Sequence, residues 1–427
     1  MEDSDFRRLR NRSAACAVVF VISLIVLGVV TIVWGPSRKF HPTDDPDQYM
    51  AIGQSLASGK GYKNPVSPWP DLPDYSRAPG WPAVIALGIR LAPGVPAEAV
   101  SRFSNAACLS IAGAFFCALC GRLGVTPKLS VVAGLSVSLS PSLVYLSVDG
   151  MSEVLFVMIL AIGLTVIFAR RQWLFPGALV LGTAALVRSN FILVPPFLLG
   201  LALLMRSSRA ELLNGFKWSR AALAFFLAMT PALLWTIRNA EITGRFPFPT
   251  SGEGQLIYGG NNDVVANNLE YWGYWVAPDN IPGESTKLIL ARQLGSELAL
   301  NDYYHRKAMD WIKHNLSAMP RLELGKFIRA FIPIPWVPRA ASYVAFSSRF
   351  LLYVLWFTLM PFWWPKMNRT YLLFCLAMAI TQVLTTAIFY GLFRFTHCYV
   401  EVFFVPCIAL GLQQWNIQRG RRALLPA

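Results

Sequence analysis

At 427 residues the chain is long enough for two or three soluble domains, but 55% of its residues are hydrophobic and only 14% charged, a balance that belongs to membrane proteins. The formal net charge is +15, yet the lysines and arginines fall in short clusters at the ends of apolar runs. That is the positive-inside pattern, and it excludes a single basic face for nucleic acid. The seven cysteines lie in or beside apolar segments, so no disulfide framework is expected. Cys117 and Cys120 have CxxC spacing without a second pair and read as small packing residues.

In chain order, the first apolar run, 14–34, follows the basic stretch Arg7 to Arg12. It is too long for a cleaved signal and reads as an uncleaved span with its N-terminus inside. Further basic clusters are Arg122 with Lys128, Arg170 with Arg171, 206–220, Lys366 with Arg369, and 419–422. Placing all of them in the cytoplasm requires about ten crossings. They are predicted at 14–34, 98–120, 130–147, 152–169, 173–188, 190–205, 221–238, 350–365, 370–390 and 398–416. The segment 80–91 is apolar but too short to span, and Pro79, Gly80 and Pro82 punctuate its start. It is predicted to lie in the outer interface.

The expected fold class is therefore an all-α polytopic membrane protein with about ten transmembrane helices. The outer regions 35–97 and 239–349 exceed what connections need. They divide the chain into an N-terminal module, 1–238, with the first outer loop 35–97; a large outer loop, 239–349, with amphipathic helices at 301–317 and 321–331; and C-terminal helices, 350–427.

Of only 23 acidic residues, Asp44, Asp45 and Asp47 fall together just after the first span. One aspartate would serve as the N-cap of the short helix that follows. Three leave at least one for another role. The run Asp45-Pro46-Asp47-Gln48-Tyr49, then Leu56 to Tyr62 with Gly59-Lys60-Gly61, then Arg77-Ala78-Pro79-Gly80-Trp81-Pro82, resembles the first outer loop of GT-C superfamily membrane glycosyltransferases, among them protein O-mannosyltransferases and lipid A aminoarabinose transferases. Pro141 to Tyr145 with Met151-Ser152-Glu153, Leu186-Val187-Arg188, Trp235 to Asn239, Tyr258 to Asn262, and Arg394-Phe395 are similar to the broader pattern.

The resemblance implies a GT-C-type fold, a polyprenyl-phosphate-linked sugar donor, a hydroxyl acceptor that is a glycan, a lipid or a protein, and inversion at the anomeric carbon. It further implies a bacterial inner (plasma) membrane setting with the active site on the periplasmic face. The family's general base falls on Asp45. Where relatives carry a second acid, Pro46 follows here, so Asp44 or Asp47 supplies it.

The chemistry agrees. Transfer from a lipid phosphate needs a proton acceptor for the incoming hydroxyl and cations for the leaving phosphate. Glu153, beside Asp149, is expected to orient the base or the acceptor, or to join a metal site. Clustered carboxylates suit Mg²⁺ or Mn²⁺, although several branches of the family need no metal. Arg77, Arg188 and Arg394 lie at one expected outer depth and are assigned to the phosphate, with Lys326 a weaker candidate. Asp47, Asp149, Tyr258, Asn261 and His397 complete the expected substrate-binding set. The plainer alternatives are arginines paired with Glu401, Asp149 or lipid headgroups, and aromatic residues that form an interfacial belt. None of the four histidines forms an HExxH motif. A polytopic transporter or lipid-linked-sugar flippase is the alternative function, though no inverted repeat supports it.

Overall fold

Backbone surrounded by lipid must satisfy its hydrogen bonds internally. The chain does so with helices, and the β-type pairing among the described residues is an isolated bridge between Lys63 and Pro73. The structure is a computed structural model that describes residues 3–37, 44–204, 218–247, 249–333 and 340–423.

In chain order the helices are α1 (Asp3–Trp34), α2 (Asp45–Ala57), α3 (Gly80–Leu91), α4 (Ala97–Arg122), α5 (Pro127–Ser138), α6 (Pro141–Val148), α7 (Glu153–Ile167), α8 (Leu174–Gly182) and α9 (Val194–Leu204). After α10 (Trp218–Thr243) come the short helices α11 (Glu253–Gly260), α12 (Asp263–Asn267) and α13 (Lys287–Leu294), and the longer α14 (Glu297–His314) and α15 (Met319–Phe331). The chain closes with α16 (Ala340–Thr358), α17 (Met360–Trp363), α18 (Arg369–Ile388) and α19 (Phe393–Ala423).

The protein is polytopic and all-α. Among the described residues five stretches are long and apolar enough to cross a membrane: Arg12–Ser37, Ala97–Arg122, Ser219–Thr243, Arg369–Ile388 and Cys398–Arg421. The expected span 130–147 is a bent pair, α5 and α6, with a 42° change of direction. Pro141 causes the break, because it lacks an N–H and disfavours helical geometry at the residue before it. The remaining expected spans appear as shorter apolar helices, Glu153–Ile167, Leu174–Leu186, Ser189–Leu204 and Tyr343–Thr358. The 15 residues of α7 rise only about 22 Å, less than the roughly 30 Å of hydrocarbon. Protein surrounds it instead, with Val154, Phe156, Val157 and Leu160 fully buried.

Helices approach closely where side chains vanish. A Cβ on Gly134 would lie 2.5 Å from the carbonyl oxygen of Gly113, so α4 and α5 meet backbone to backbone. Ser23 and Ser138 hydroxyls join α1 to α5 at 2.6 Å. Ile25, Ile32 and Val33 of α1 face outward, as a lipid-facing surface requires. The two ends of the bundle are chemically distinct. Arg122 donates to Ala169 O (3.2 Å) and Gln413 bridges Thr126 N (2.7 Å) and Gly124 O (3.0 Å) at one end. At the other, Trp81 donates to Gly150 O (2.8 Å) and Arg102 to Val148 O (3.0 Å).

Residues 249–333 form a cap with a small core of its own, built from Ile257, Tyr258, Val265, Leu290, Leu300, Tyr304 and Leu322. Its main helix begins four residues before the expected 301, at Glu297, because Ser296 is the N-cap and accepts from Ala299 N (3.2 Å). The shorter α11, α12 and α13 were not anticipated. The cap docks on the turn between α18 and α19. A Cβ on Gly391 would lie 2.0 Å from Lys326 O. Gly391→Ala is therefore expected to destabilise the protein by about 1–3 kcal/mol. Thermal unfolding in detergent checks this against Gly420→Ala, where nothing lies within 4 Å.

Candidate active site

The site begins with α2. Asp44 occupies the N-cap position in extended geometry and makes no side-chain cap bond, Pro46 follows within the first turn, and the helix is stopped by the turn Ser58–Gly61 with Gly59 and Gly61 at positive φ. This local folding sets Asp45, Gln48, Tyr49 and Ile52 on one face, at helical spacing. Gly53 lets α3 approach α2, since a Cβ there would meet Ile85 at 2.7 Å.

From that face an alternating chain of charge runs through one end of the bundle. Asp45 Oδ1 receives Arg77 Nη1 at 2.8 Å and Asp45 Oδ2 receives Arg394 Nη2 at 2.8 Å. Arg394 Nε lies 3.0 Å from Glu153 Oε1, and Arg188 Nη1 lies 2.9 Å from the same oxygen. Three guanidiniums thus face two carboxylates. Phe395 lies under both Arg188 (4.6 Å) and Arg394 (5.1 Å), and Tyr49 under Arg77 (5.8 Å). Such ring faces favour cations in a desolvated site.

Arg77 is held from three directions. Its Nε donates to Gln48 Oε1 (3.1 Å), its backbone N–H donates to Asp74 Oδ1 (2.9 Å), and its carbonyl accepts from Tyr62 OH (3.0 Å). Glu153 is 2% exposed, whereas Asp45, Arg77 and Arg394 are each about a quarter exposed and form the open rim. Burial opposes the charge on Asp45, but the Arg77 and Arg394 guanidiniums outweigh it and hold the carboxyl well below the usual range. Burial likewise opposes the charge on Arg77, and Asp45 outweighs it to raise the pKa.

The structure brings together Asp45, Glu153, Arg77, Arg188 and Arg394 of the expected set. The other two aspartates lie elsewhere on α2. Asp44 is exposed at the helix start, and Asp47 lines a separate cleft of about 540 Å³ with Gln54, Ser58, Lys60 and Glu98. Asp149 sits at the end of α6, next to the Gly150 carbonyl that accepts from Trp81. Tyr258 belongs to the cap, where its hydroxyl donates to Glu284 Oε1 (2.7 Å) and its ring stacks on Tyr304. Lys326 uses all three ammonium protons, on Asn261 Oδ1 (2.9 Å), Glu323 Oε1 (2.7 Å) and Ala387 O (2.8 Å). Lys326 and Asn261 thus fasten the cap to α18. His397 is part of α19, and its side chain lies outside the described residues.

Glu401 does not pair with Arg394. It faces Arg349 at 3.7 Å and accepts from Ser140 Oγ (3.1 Å) in a second, fully buried group. Arg238 turns away too, donating to Asp74 O (2.5 Å) and stacking on Trp235 (4.6 Å).

A divalent cation fits this site poorly. Among the described residues no three His, Cys, Asp or Glu side chains converge as metal ligands, and guanidiniums already occupy the oxygens of Asp45 and Glu153. The sequence motifs contain Gln48, Tyr49 and Phe395, to which sequence reasoning assigned no role. Their signal was adjacency, since each neighbours a singled-out residue in sequence or at one helical turn.

Arg188 Nε is buried with no hydrogen-bond acceptor, and Arg394 Nε has only its ion-pair contact with Glu153 Oε1 at 3.0 Å. Buried donors of this kind normally find partners. The arrangement therefore has both the net charge and, at Arg188 Nε, a spare donor to take a further anion.

No protein-family model and no curated protein matches the chain. Among solved structures it is similar to the crystal structure of ArnT from Cupriavidus metallidurans bound to undecaprenyl phosphate, at 14% identity and a TM-score of 0.43, over 95% of this chain and 79% of that one. A likeness of that size assigns no activity, and the functional reading rests on the site itself.

Proposed function

We propose that the protein transfers a glycosyl group from a polyprenyl-phosphate donor to an acceptor hydroxyl at the outer face of a bacterial inner membrane, with inversion at the anomeric carbon. The observation that carries this reading is the charge chain: three arginines against two carboxylates, at one end of a membrane bundle, with the buried Arg188 Nε lacking an acceptor. A phosphate whose lipid tail stays in the bilayer would meet its cations at this depth.

The arginines then change partners. Their donors turn to the phosphate oxygens, where charge accumulates as the glycosidic C–O bond breaks. Asp45, released from two cations, regains the basicity that they suppress and accepts the proton of the attacking hydroxyl. The new bond forms between acceptor oxygen and anomeric carbon, polyprenyl phosphate departs, and the proton on Asp45 returns to water. Glu153 stays buried and holds Arg188 and Arg394 in register.

Purified protein given a polyprenyl-phosphate sugar and a hydroxyl acceptor is expected to release polyprenyl phosphate. Movement of unmodified donor across liposomes, with no release, would assign a flippase instead.

A further inference from the structure

Arg394 stands second in α19, in a first turn whose backbone hydrogen bonds are incomplete, so contacts from outside the helix must fix its direction. Arg349 of α16 supplies three of them. Its guanidinium lies 4.0 Å from the centre of the Phe393 ring, directly before Arg394, and Phe346, one turn earlier on α16, stacks on the same ring at 4.4 Å. Arg349 Nη1 donates to Thr396 Oγ1, whose own proton goes to Ala330 O of α15 (2.8 Å) or to Phe393 O (2.9 Å). Arg349 Nη2 faces Glu401 Oε2 at 3.7 Å, and Ser140, at the break between α5 and α6, donates to Glu401 Oε1 (3.1 Å). Arg349 and Glu401 are each 1% exposed.

As a source of stability such a pair is a poor choice. The cost of desolvating two charges offsets their attraction, and apolar side chains of similar size would hold the helices as firmly. What directional contacts add is register. Arg394, Cys398 and Glu401 follow at helical spacing and share one face of α19, and Cys398 Sγ lies 3.9 Å from Glu153 O. A rotation of α19 by about 20° carries a group at the helix surface, about 5–6 Å from the axis, through about 2 Å. That breaks contacts made at 2.8 Å to Asp45 and 3.0 Å to Glu153.

We propose that Arg349 is a positioning residue for Arg394: through Phe393, Thr396 and Glu401 it sets the rotation of α19 at which Arg394 spans Asp45 and Glu153. Its bearing on the donor rests on the phosphate reading given above.

The test separates direction from stability. Arg349→Met alone strands the Glu401 charge and is expected to lower the melting temperature in detergent. Arg349→Met with Glu401→Gln should recover most of it, because neither group is then charged and Gln still accepts from Ser140. Binding of polyprenyl phosphate to the purified protein should not recover. Its Kd in the double variant is expected to stay about tenfold or more above wild type, the contribution of one hydrogen bond to a charged group. In an Arg394→Met background the same two changes should move Kd less than about twofold, since they act through Arg394. Arg349→Lys keeps a charge opposite Glu401 and so protects the fold, but an ammonium cannot also reach Thr396 and lie flat on Phe393, and Kd should rise here too.

Binding that recovers together with the melting temperature, an undiminished further loss in the Arg394→Met background, or unchanged binding in Arg349→Lys overturns the proposal. So does a cryo-EM structure of the double variant with Arg394 still against both Asp45 and Glu153, whatever the activity. If Arg394 is displaced in that structure while wild type neither binds nor releases polyprenyl phosphate, the positioning stands and the transferase reading falls.

Discussion

Asp45→Asn is expected to lower turnover by about 10²–10⁴-fold, the usual contribution of a positioned proton acceptor, without raising KM for the donor. The asymmetry follows from the geometry. Asn keeps the size of Asp but not its charge, so Arg77 and Arg394, both 2.8 Å from the carboxylate, lose their anionic partner and attract a phosphate more strongly. A residue that only balanced charge would give the opposite pattern, better binding with turnover intact. Asp44→Asn and Asp47→Asn change groups outside the charge chain and should stay within about threefold of wild type, in line with surface substitutions. Full turnover in Asp45→Asn, or an equal loss in Asp44→Asn, would sink the assignment of the base.

The second large effect is expected at Arg394, which alone touches both carboxylates of the chain. Arg394→Met leaves Asp45 with Arg77, and the buried Glu153 with Arg188. Hydrogen bonds to charged groups contribute about 1.5–3 kcal/mol each, so donor KM should rise about 10–100-fold, together with a loss of turnover. Arg394→Lys should recover little of this, because an ammonium cannot span two carboxylates with a planar fork. Product inhibition by polyprenyl phosphate provides an independent measure of the same contact. Unchanged inhibition in Arg394→Met would remove Arg394 from the phosphate site.

These losses should not depend on pH in the neutral range. Asp45 is depressed in the folded protein, so its contribution to stability is present above the ordinary value of about 3.9 and is lost only as pH falls through the lower folded value.

The all-α membrane fold was legible because hydrophobic run length reports directly on crossing. What the runs could not show was continuity. The bend comes from Pro141, which hydropathy does not weigh, and α7 is short because protein, not lipid, surrounds it. At the site, Asp45, Glu153, Arg77, Arg188 and Arg394 were visible as charges out of place. Their pairing was not, since it depends on how α2, α7 and α19 are rotated. Lys326 and Tyr258 illustrate the limit from the other side. Both were singled out for chemistry, and the hydrogen bonds they make are those of a cap fastening and a cap core.

Asp45 and Arg394 are separated by 349 positions in the chain. During membrane insertion, α2 and α7 are in place long before α19 is made. Until that helix arrives, Glu153 lacks one of its two cations and Asp45 has only Arg77. The assembling protein must therefore carry under-neutralised acid at the membrane surface for most of its synthesis, and closure of the bundle by α19 is the event that both matures the site and removes that burden.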